Sequence, residues 1–229
     1  MLAGPEGRHA STVRRLAAGE RADITDGAGH VAECVVAGAP RSGSLELTVV
    51  VRRTVPAPQP RLVVLQAIPK GDRGELAVEL LTEAGVDVIV PWAADRCVAV
   101  WRGEREARAL RRWSAAAQEA AKQSRRAWCP EVTGQADLAA AVQRVRDATL
   151  AIVLDPDGAG EVASLELPAS GDLVVAVGPE GGITPAEDEA MRAAGAVAAA
   201  LGPTVLRAST AGIVAASIVL SRTDRWQSN

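Results

Sequence analysis

The chain has 229 residues, 48% of them apolar and 23% charged, which suits one large or two modest globular domains and excludes a disordered or collagen-like chain. Five Trp stand beside no Phe and no Tyr, so Ala, Val and Leu must fill the core and a row of base-stacking aromatics is excluded. Lys and Arg number 25 against 28 Asp and Glu, a net charge of −3, so contact with nucleic acid would need a local basic surplus.

Residues 1–54 alternate short apolar runs with turn residues. A D-G turn at Asp26-Gly27 separates Arg21–Thr25 from Val31–Val36, and after the breaker Gly38–Gly43 comes Ser44–Val51. Short strands spaced by turns predict a small β-barrel or sheet. Residues 55–60, Val-Pro-Ala-Pro-Gln-Pro, carry three prolines; they continue neither a helix nor a central strand and read as a linker.

From residue 61 to 229 strands alternate with helices. Arg61–Ala67, Val86–Val90, Leu150–Leu154 and Leu173–Val177 are almost wholly apolar, as strands buried on both faces must be. Helices are expected over Asp72–Ala84, with Gly85 as C-cap, over Glu104–Arg125 and over Leu138–Arg146. The pattern predicts an α/β domain with a parallel sheet covered on both sides. Cys34, Cys97 and Cys129 lack metal-type spacing and read as reduced thiols, and His9 and His30 alone build no metal site. No apolar run reaches the length of a membrane span, so a soluble, cytoplasmic protein is expected, with no membrane and no metal partner.

The most informative stretch is Leu173-Val-Val-Ala-Val-Gly-Pro-Glu-Gly-Gly-Ile-Thr-Pro-Ala-Glu187. A buried strand enters Gly178-Pro179-Glu180-Gly181-Gly182, and a helix follows at once. Thr184 is a natural N-cap, Pro185 suits the first helical position, and Glu187 completes a capping box. A loop so rich in glycine offers backbone groups to a ligand with few side chains in the way, and ligands of such sheets bind beyond the carboxyl ends of the strands. Neither G-x-G-x-x-G nor G-K-[ST] is present, which argues against dinucleotide and P-loop sites. Glu180, where a phosphate loop would carry Lys, favours a ligand with positive or hydrogen-bond-donating groups. A second strand leads into Leu201-Gly202-Pro203-Thr204-Val205-Leu206-Arg207, then into an Ala-rich apolar helix, so two Gly-Pro loops are expected at one sheet edge.

V-G-P-E-G-G-I-T-P-A-E, followed about twenty residues on by L-G-P-x-x-L-R-x-x-T-A, resembles the RsmE family of small-subunit (16S) ribosomal RNA uracil-N3 methyltransferases, of the SPOUT class. Lys70-Gly-Asp-Arg73, Thr82-Glu83, Asp95-Arg96, Gln123-Ser124, Arg126 and Pro130 follow in family-like order, as do Arg8-His9 and the Asp26-Gly27-x-Gly29 turn. The resemblance implies a PUA-like RNA-binding β-barrel over 1–54, the linker 55–60, and a SPOUT α/β domain over 61–229 with a deep trefoil knot. It implies S-adenosyl-L-methionine as cofactor, bound by Leu154, Gly178, Pro179, Glu180, Gly181, Gly182, Leu201, Gly202, Pro203 and Leu206. Glu180 and Arg207 are the catalytic candidates. The candidates for RNA contact are Arg8, His9, Arg14, Arg73, Arg96, Arg125 and Arg126, with small-subunit rRNA or the assembled subunit as partner and a homodimer as the assembly.

Three positions depart from the family pattern. Ser209 stands where Glu is usual, Thr204 where Arg is frequent, and Leu80 where Lys is common. Such losses bear on substrate contacts more than on the cofactor loops, and they keep two alternatives open: a catalytically silent RNA-binding or ribosome-assembly protein, or methylation of another RNA. Between Arg96 and Arg126 basic residues outnumber Glu104, Glu106 and Glu119 three to one, a surplus of the kind phosphate contact requires. Trp101, Trp113 and Trp128 read as packing residues.

Overall fold

A computed structural model describes residues 1–38, 43–71 and 73–227. The chain divides into two compact units, Met1–Ala57 and Pro58–Asn229.

In the first unit a short helix α1 (Gly4–Arg8) runs on into a π-type turn, His9–Val13, and three strands follow: β1 (Arg21–Thr25), β2 (His30–Val36) and β3 (Leu47–Thr54). They form an antiparallel sheet in the order β1-β2-β3. Ala10, Val36 and Leu45 make its small core, with Leu2, Leu16 and Leu47 packed around them. The turn between β1 and β2 is built by Asp26. Its carboxylate accepts the amides of Ala28 (2.8 Å) and His30 (3.1 Å) and lies 2.8 Å from His30 Nδ1. The Ala28 amide is the main reason this carboxyl titrates below its usual range. Of the glycine-bounded breaker expected over 38–43, residues 39–42 lie outside the described residues, as does Asp72 of the Lys70–Arg73 motif.

The second unit contains, in chain order, β4 (Arg61–Ala67), α2 (Arg73–Ala84), β5 (Val88–Trp92), α3 (Glu104–Gln123), β6 (Glu131–Val132), α4 (Leu138–Asp147), β7 (Leu150–Leu154), β8 (Gly160–Glu161), β9 (Asp172–Val177), α5 (Pro185–Ala193), β10 (Val197–Ala200) and α6 (Ala208–Ser221). Its seven strands form one sheet in the order β6-β5-β4-β9-β7-β10-β8, and every paired neighbour is parallel. Alternate side chains of each strand feed opposite cores. Leu62, Val64, Val175 and Val177 pack under α2, α3 and α6. Val63, Leu65, Val174 and Ala176 pack against α4 and α5 through Ala141, Val145 and Met191. Trp113 is 2% exposed and meets Trp101 edge-to-face at 5.1 Å, so both are packing residues, as the composition led one to expect.

The helix expected over Glu104–Arg125 stops at Gln123, because Arg125 takes a left-handed φ of 55°. Gly85, with a φ of 108°, ends α2. Strand β9 follows β7 in the chain yet inserts between β4 and β7, while β10 goes to the far side of β7. Helix α6 then returns across the sheet to pack on α2, β4 and β9. After α6 the turn Asp224–Trp226 is tied down by a buried ion cluster. Arg225 contacts Asp87 at 2.6 and 3.1 Å and donates to the carbonyls of Pro60 and Gly85. Among the described residues no helix is long and apolar enough to cross a membrane.

Candidate active site

A cavity of about 700 Å³ opens where β7, β9 and β10 end at the carboxyl edge of the sheet. Three loops line it. Leu154–Asp157 follows β7, Gly178–Glu180 with Gly182 and Ile183 follows β9, and Leu201, Gly202 and Thr204–Arg207 follow β10. The two Gly-Pro loops expected at one edge therefore face a common space. Of the candidate cofactor residues Leu154, Gly178, Pro179, Glu180, Gly182, Leu201, Gly202 and Leu206 line that space, whereas Gly181 and Pro203 belong to the same loops but do not face the cavity.

Local chemistry explains why the loops hold this shape. A Cβ at Gly178 would lie 2.8 Å from Ile183 Cγ1, closer than Cβ atoms come, so any larger residue would force Ile183 or the loop to shift. Gly202 has a φ of 147°, which side-chain-bearing residues rarely adopt. The capping box forms as read: Thr184 Oγ1 accepts the amide of Glu187, and the Glu187 carboxylate accepts the Thr184 amide at 2.8 Å. Glu187 does more than cap. Only 1% exposed, it also accepts the Asp95 amide at 2.7 Å and the Thr184 hydroxyl at 2.9 Å. Arg96 Nη1 donates to the Gly181 carbonyl at 3.0 Å. The loop that follows β5 is thus pinned at two points, to the first turn of α5 through Glu187 and to the Gly-Pro loop of β9 through Gly181.

Carboxylates give the cavity a negative rim. Asp155 and Asp188 line it, bridged by Arg192 at 3.5 and 2.7 Å. Glu180 lies 3.9 Å from Arg73 Nη1 and keeps its side chain about one-third exposed. Burial raises the pKa of the nearby Cys97 thiol, and the negative charges of Glu180 and Glu187 add to the effect. Arg207 is the N-cap of α6; its carbonyl receives the amides of Thr210 and Ala211 while its side chain is exposed on the cavity rim with no ion-pair partner among the described residues. On the floor of α6, Gln66 is fully buried on β4 and donates to the Ala208 carbonyl at 3.2 Å. Thr204 is exposed and lines the cavity, whereas Ser209 is buried.

The candidate RNA residues fall into distinct settings. Arg8, His9 and Arg14 are exposed in the first unit; Arg73, Arg96 and Arg125 are exposed in the second. Arg126 is different, and its assignment to RNA contact is corrected. Its guanidinium donates to the carbonyls of Thr82 (2.9 Å) and Val86 (2.7 Å) and pairs with Asp87, with side chains only 11% and 10% exposed. A guanidinium this little exposed, with three of its donors and its charge already engaged inside the unit, is held by the fold and is not presented to phosphate. Sequence reasoning also missed Asp155, Asp188 and the Asp95–Glu187 bond. Only the Asp-Pro-Asp turn after a buried strand hinted at the first.

Comparison with known proteins agrees with this anatomy. Residues 56–220 match the family described as an RNA methyltransferase domain, and residues 2–50 match an RNA methyltransferase PUA domain. A Mycobacterium bovis protein named ribosomal RNA small subunit methyltransferase E is 47% identical over 99% of this chain and 87% of its own. The protein of that name from Bacillus subtilis is 30% identical over 72% of this chain and 67% of its own. Among solved structures, a Legionella pneumophila methyltransferase with bound SAM superposes with a TM-score of 0.82 at 26% identity, covering 96% of this chain and 90% of that one. A methyltransferase E from Neisseria gonorrhoeae shares the fold at a TM-score of 0.81 and 24% identity, covering 93% of this chain and 87% of that one. A cavity edged by two Gly-Pro loops, a parallel sheet of this strand order and likeness along nearly the whole chain place it in the ribosomal RNA small subunit methyltransferase E family.

Proposed function

We propose that the chain is an S-adenosyl-L-methionine-dependent methyltransferase acting on uracil N3 of 16S small-subunit rRNA. The observation that carries the reading is the meeting of the two Gly-Pro loops around one cavity of about 700 Å³, within the range of pockets that enclose a cofactor. The residues present fit that cofactor. Loop backbone from Gly178–Gly182 and Leu201–Leu206 offers hydrogen-bond groups, Leu154 and Leu206 give apolar walls, and Asp155 and Asp188, which share the one charge of Arg192, leave net negative charge suited to a cationic ligand.

When bound, the sulfonium donor supplies an electrophilic methyl group. The protein's own part is to position and to move one proton. The loops, braced by Glu187 and Arg96, hold the reacting groups in line, which lowers the barrier by restricting their freedom beforehand. Uracil N3 must lose its proton as the new bond to carbon forms, and Glu180 is the carboxylate at the cavity rim that accepts it. Arg207, exposed on the same cavity and without an ion-pair partner among the described residues, orients the target nucleotide through phosphate or a base edge. Arg8, His9 and Arg14 of the PUA unit, with Arg73, Arg96 and Arg125 of the second, hold the surrounding RNA.

Further features belong to the same reading. The insertion of β9 between β4 and β7, with α6 crossing back, supports a trefoil knot around the cavity. Helix α6 keeps Ile213, Val214 and Ile218 only half-buried, which supports a homodimer formed through that face. The setting is ribosome biogenesis in the cytoplasm. Deleting the gene and mapping modified uridines in small-subunit rRNA by mass spectrometry tests the assignment: one 3-methyluridine disappears, and an unchanged modification map refutes it.

A further inference from the structure

We propose that the exposed face of the first turns of α3 is a phosphate-binding ridge along which substrate RNA runs away from the cavity; the proposal rests on the RNA methyl-transfer reading above. Arg102, just before α3, and Arg105, Arg108 and Arg111 within it are all exposed, and their guanidinium groups have no hydrogen-bond or ion-pair partner among the described residues. Three of them recur at every third position, which sets them on one side of the helix about 4.5 Å apart along its axis. Like charges at that spacing repel and destabilise a helix. A helix that keeps them on a chain of net charge −3 is matched to a polyanion.

Contacts connect this ridge to the cavity. Helix α3 lies directly on the first turn of α2, where a Cβ at Gly74 would come within 2.8 Å of Trp113 Nε1. Arg112, neighbour of Arg111, contacts Glu75 of α2 at 3.0 Å and is thereby neutralised, so it is not counted in the ridge. Two residues earlier Arg73 reaches Glu180 on the cavity rim. An open cleft of about 570 Å³ at that end of α2 is lined by Lys70, Gly71, Arg73 and Leu76. Lys70 and Arg73 thus place positive charge at the end of α2 on which α3 packs, although Arg73 is shared with Glu180 and Asp72 stands between them in the chain. Glu104 and Glu106 in the first turn of α3 offset two of the four arginines and leave a net positive face, while Glu79 and Glu83 lie further along α2, away from the rim. Trp101 and Trp113, the rings nearest these arginines in the chain, are buried and offer no stacking surface, and the ridge is assigned to phosphate contact.

The test uses the full chain and small-subunit rRNA as probe. Binding of the wild type and of the triple variant Arg105→Gln, Arg108→Gln, Arg111→Gln is titrated at 0.05 and 0.2 M salt. Loss of three phosphate contacts lowers the salt slope by about 0.7–0.9 per contact, so over this range the wild type loses roughly 20- to 40-fold more affinity than the variant. The corresponding triple Lys variant keeps the charge and restores the wild-type slope. The Kd for S-adenosyl-L-methionine, read by calorimetry, stays the same in all three. Equal slopes for the wild type and the Gln variant overturn the ridge. A wild type with an arginine-dependent slope that transfers no methyl group would instead overturn the proposed reaction and leave the ridge standing.

Discussion

Replacing Glu187 by Ala tests how the cavity wall is held. The Glu187 carboxylate is buried and accepts three hydrogen bonds, from the Asp95 amide, the Thr184 amide and the Thr184 hydroxyl. A hydrogen bond to a charged group contributes about 1.5–3 kcal/mol, and a buried donor left unpaired costs about 1–3 kcal/mol. The Thr184 donors lie at the half-buried start of α5 and regain water, so they count at the low end; the Asp95 amide counts more. Loss of an acidic group in the first turn of α5 adds about 0.3–1 kcal/mol. Together these give a destabilisation of roughly 3 kcal/mol, or a fall in Tm of about 6–12 °C for a chain of this size. Because the Asp95–Glu187 bond pins the loop after β5 to the first turn of α5, where the Gly-Pro loop of β9 ends, the Kd for S-adenosyl-L-methionine rises about tenfold or more. Differential scanning calorimetry and titration calorimetry read the two effects. A Tm within 1 °C of the wild type and an unchanged Kd would refute the reasoning. Glu187→Gln, which keeps the shape and one acceptor oxygen, should fall between.

Three other variants or measurements probe separate parts of the account. Gly178→Ala drives a methyl group against Ile183, and titration calorimetry should show cofactor affinity reduced at least tenfold; unaltered affinity means the loop does not shape the site. Asp87→Ala strands the Arg126 and Arg225 guanidinium groups, both about 10% exposed, and should cost about 3–5 kcal/mol in denaturant unfolding, while leaving only a small effect would mean the cluster is not structural. Burial raises the Cys97 pKa, which lowers its thiolate fraction at pH 8, so the folded protein should alkylate there more slowly than a free thiol and speed up as pH rises; peptide mapping after iodoacetamide treatment checks this.

Local features of the fold were legible in the sequence because each depends on near neighbours. The apolar runs at 61–67, 150–154 and 173–177 are strands because both faces are buried, and Thr184-Pro185-x-Glu187 is a capping box because three residues suffice to build one. The two Gly-Pro loops were legible for the same reason. Strand order was not, since nothing in residues 172–177 says that they insert between β4 and β7. Arg126 illustrates the limit at the site. Its position in a basic run suggests solvent and phosphate, yet a long-range partner, Asp87, captures it with help from carbonyls at 82 and 86. The Asp95–Glu187 bond joins residues ninety-two apart and leaves no periodic trace. Two-residue strands such as β6 and β8 are too short to carry an alternation.

The central claim is that two glycine-shaped loops present a methyl donor to a uracil in small-subunit rRNA. Incubation of the purified protein with isotope-labelled S-adenosyl-L-methionine and small ribosomal subunits lacking the modification, followed by nuclease digestion and mass spectrometry of the nucleosides, measures it directly. The account predicts labelled 3-methyluridine at one position, abolished by the Gly178→Ala variant. Label on a different base or a different ring atom, or none despite cofactor binding, would contradict it.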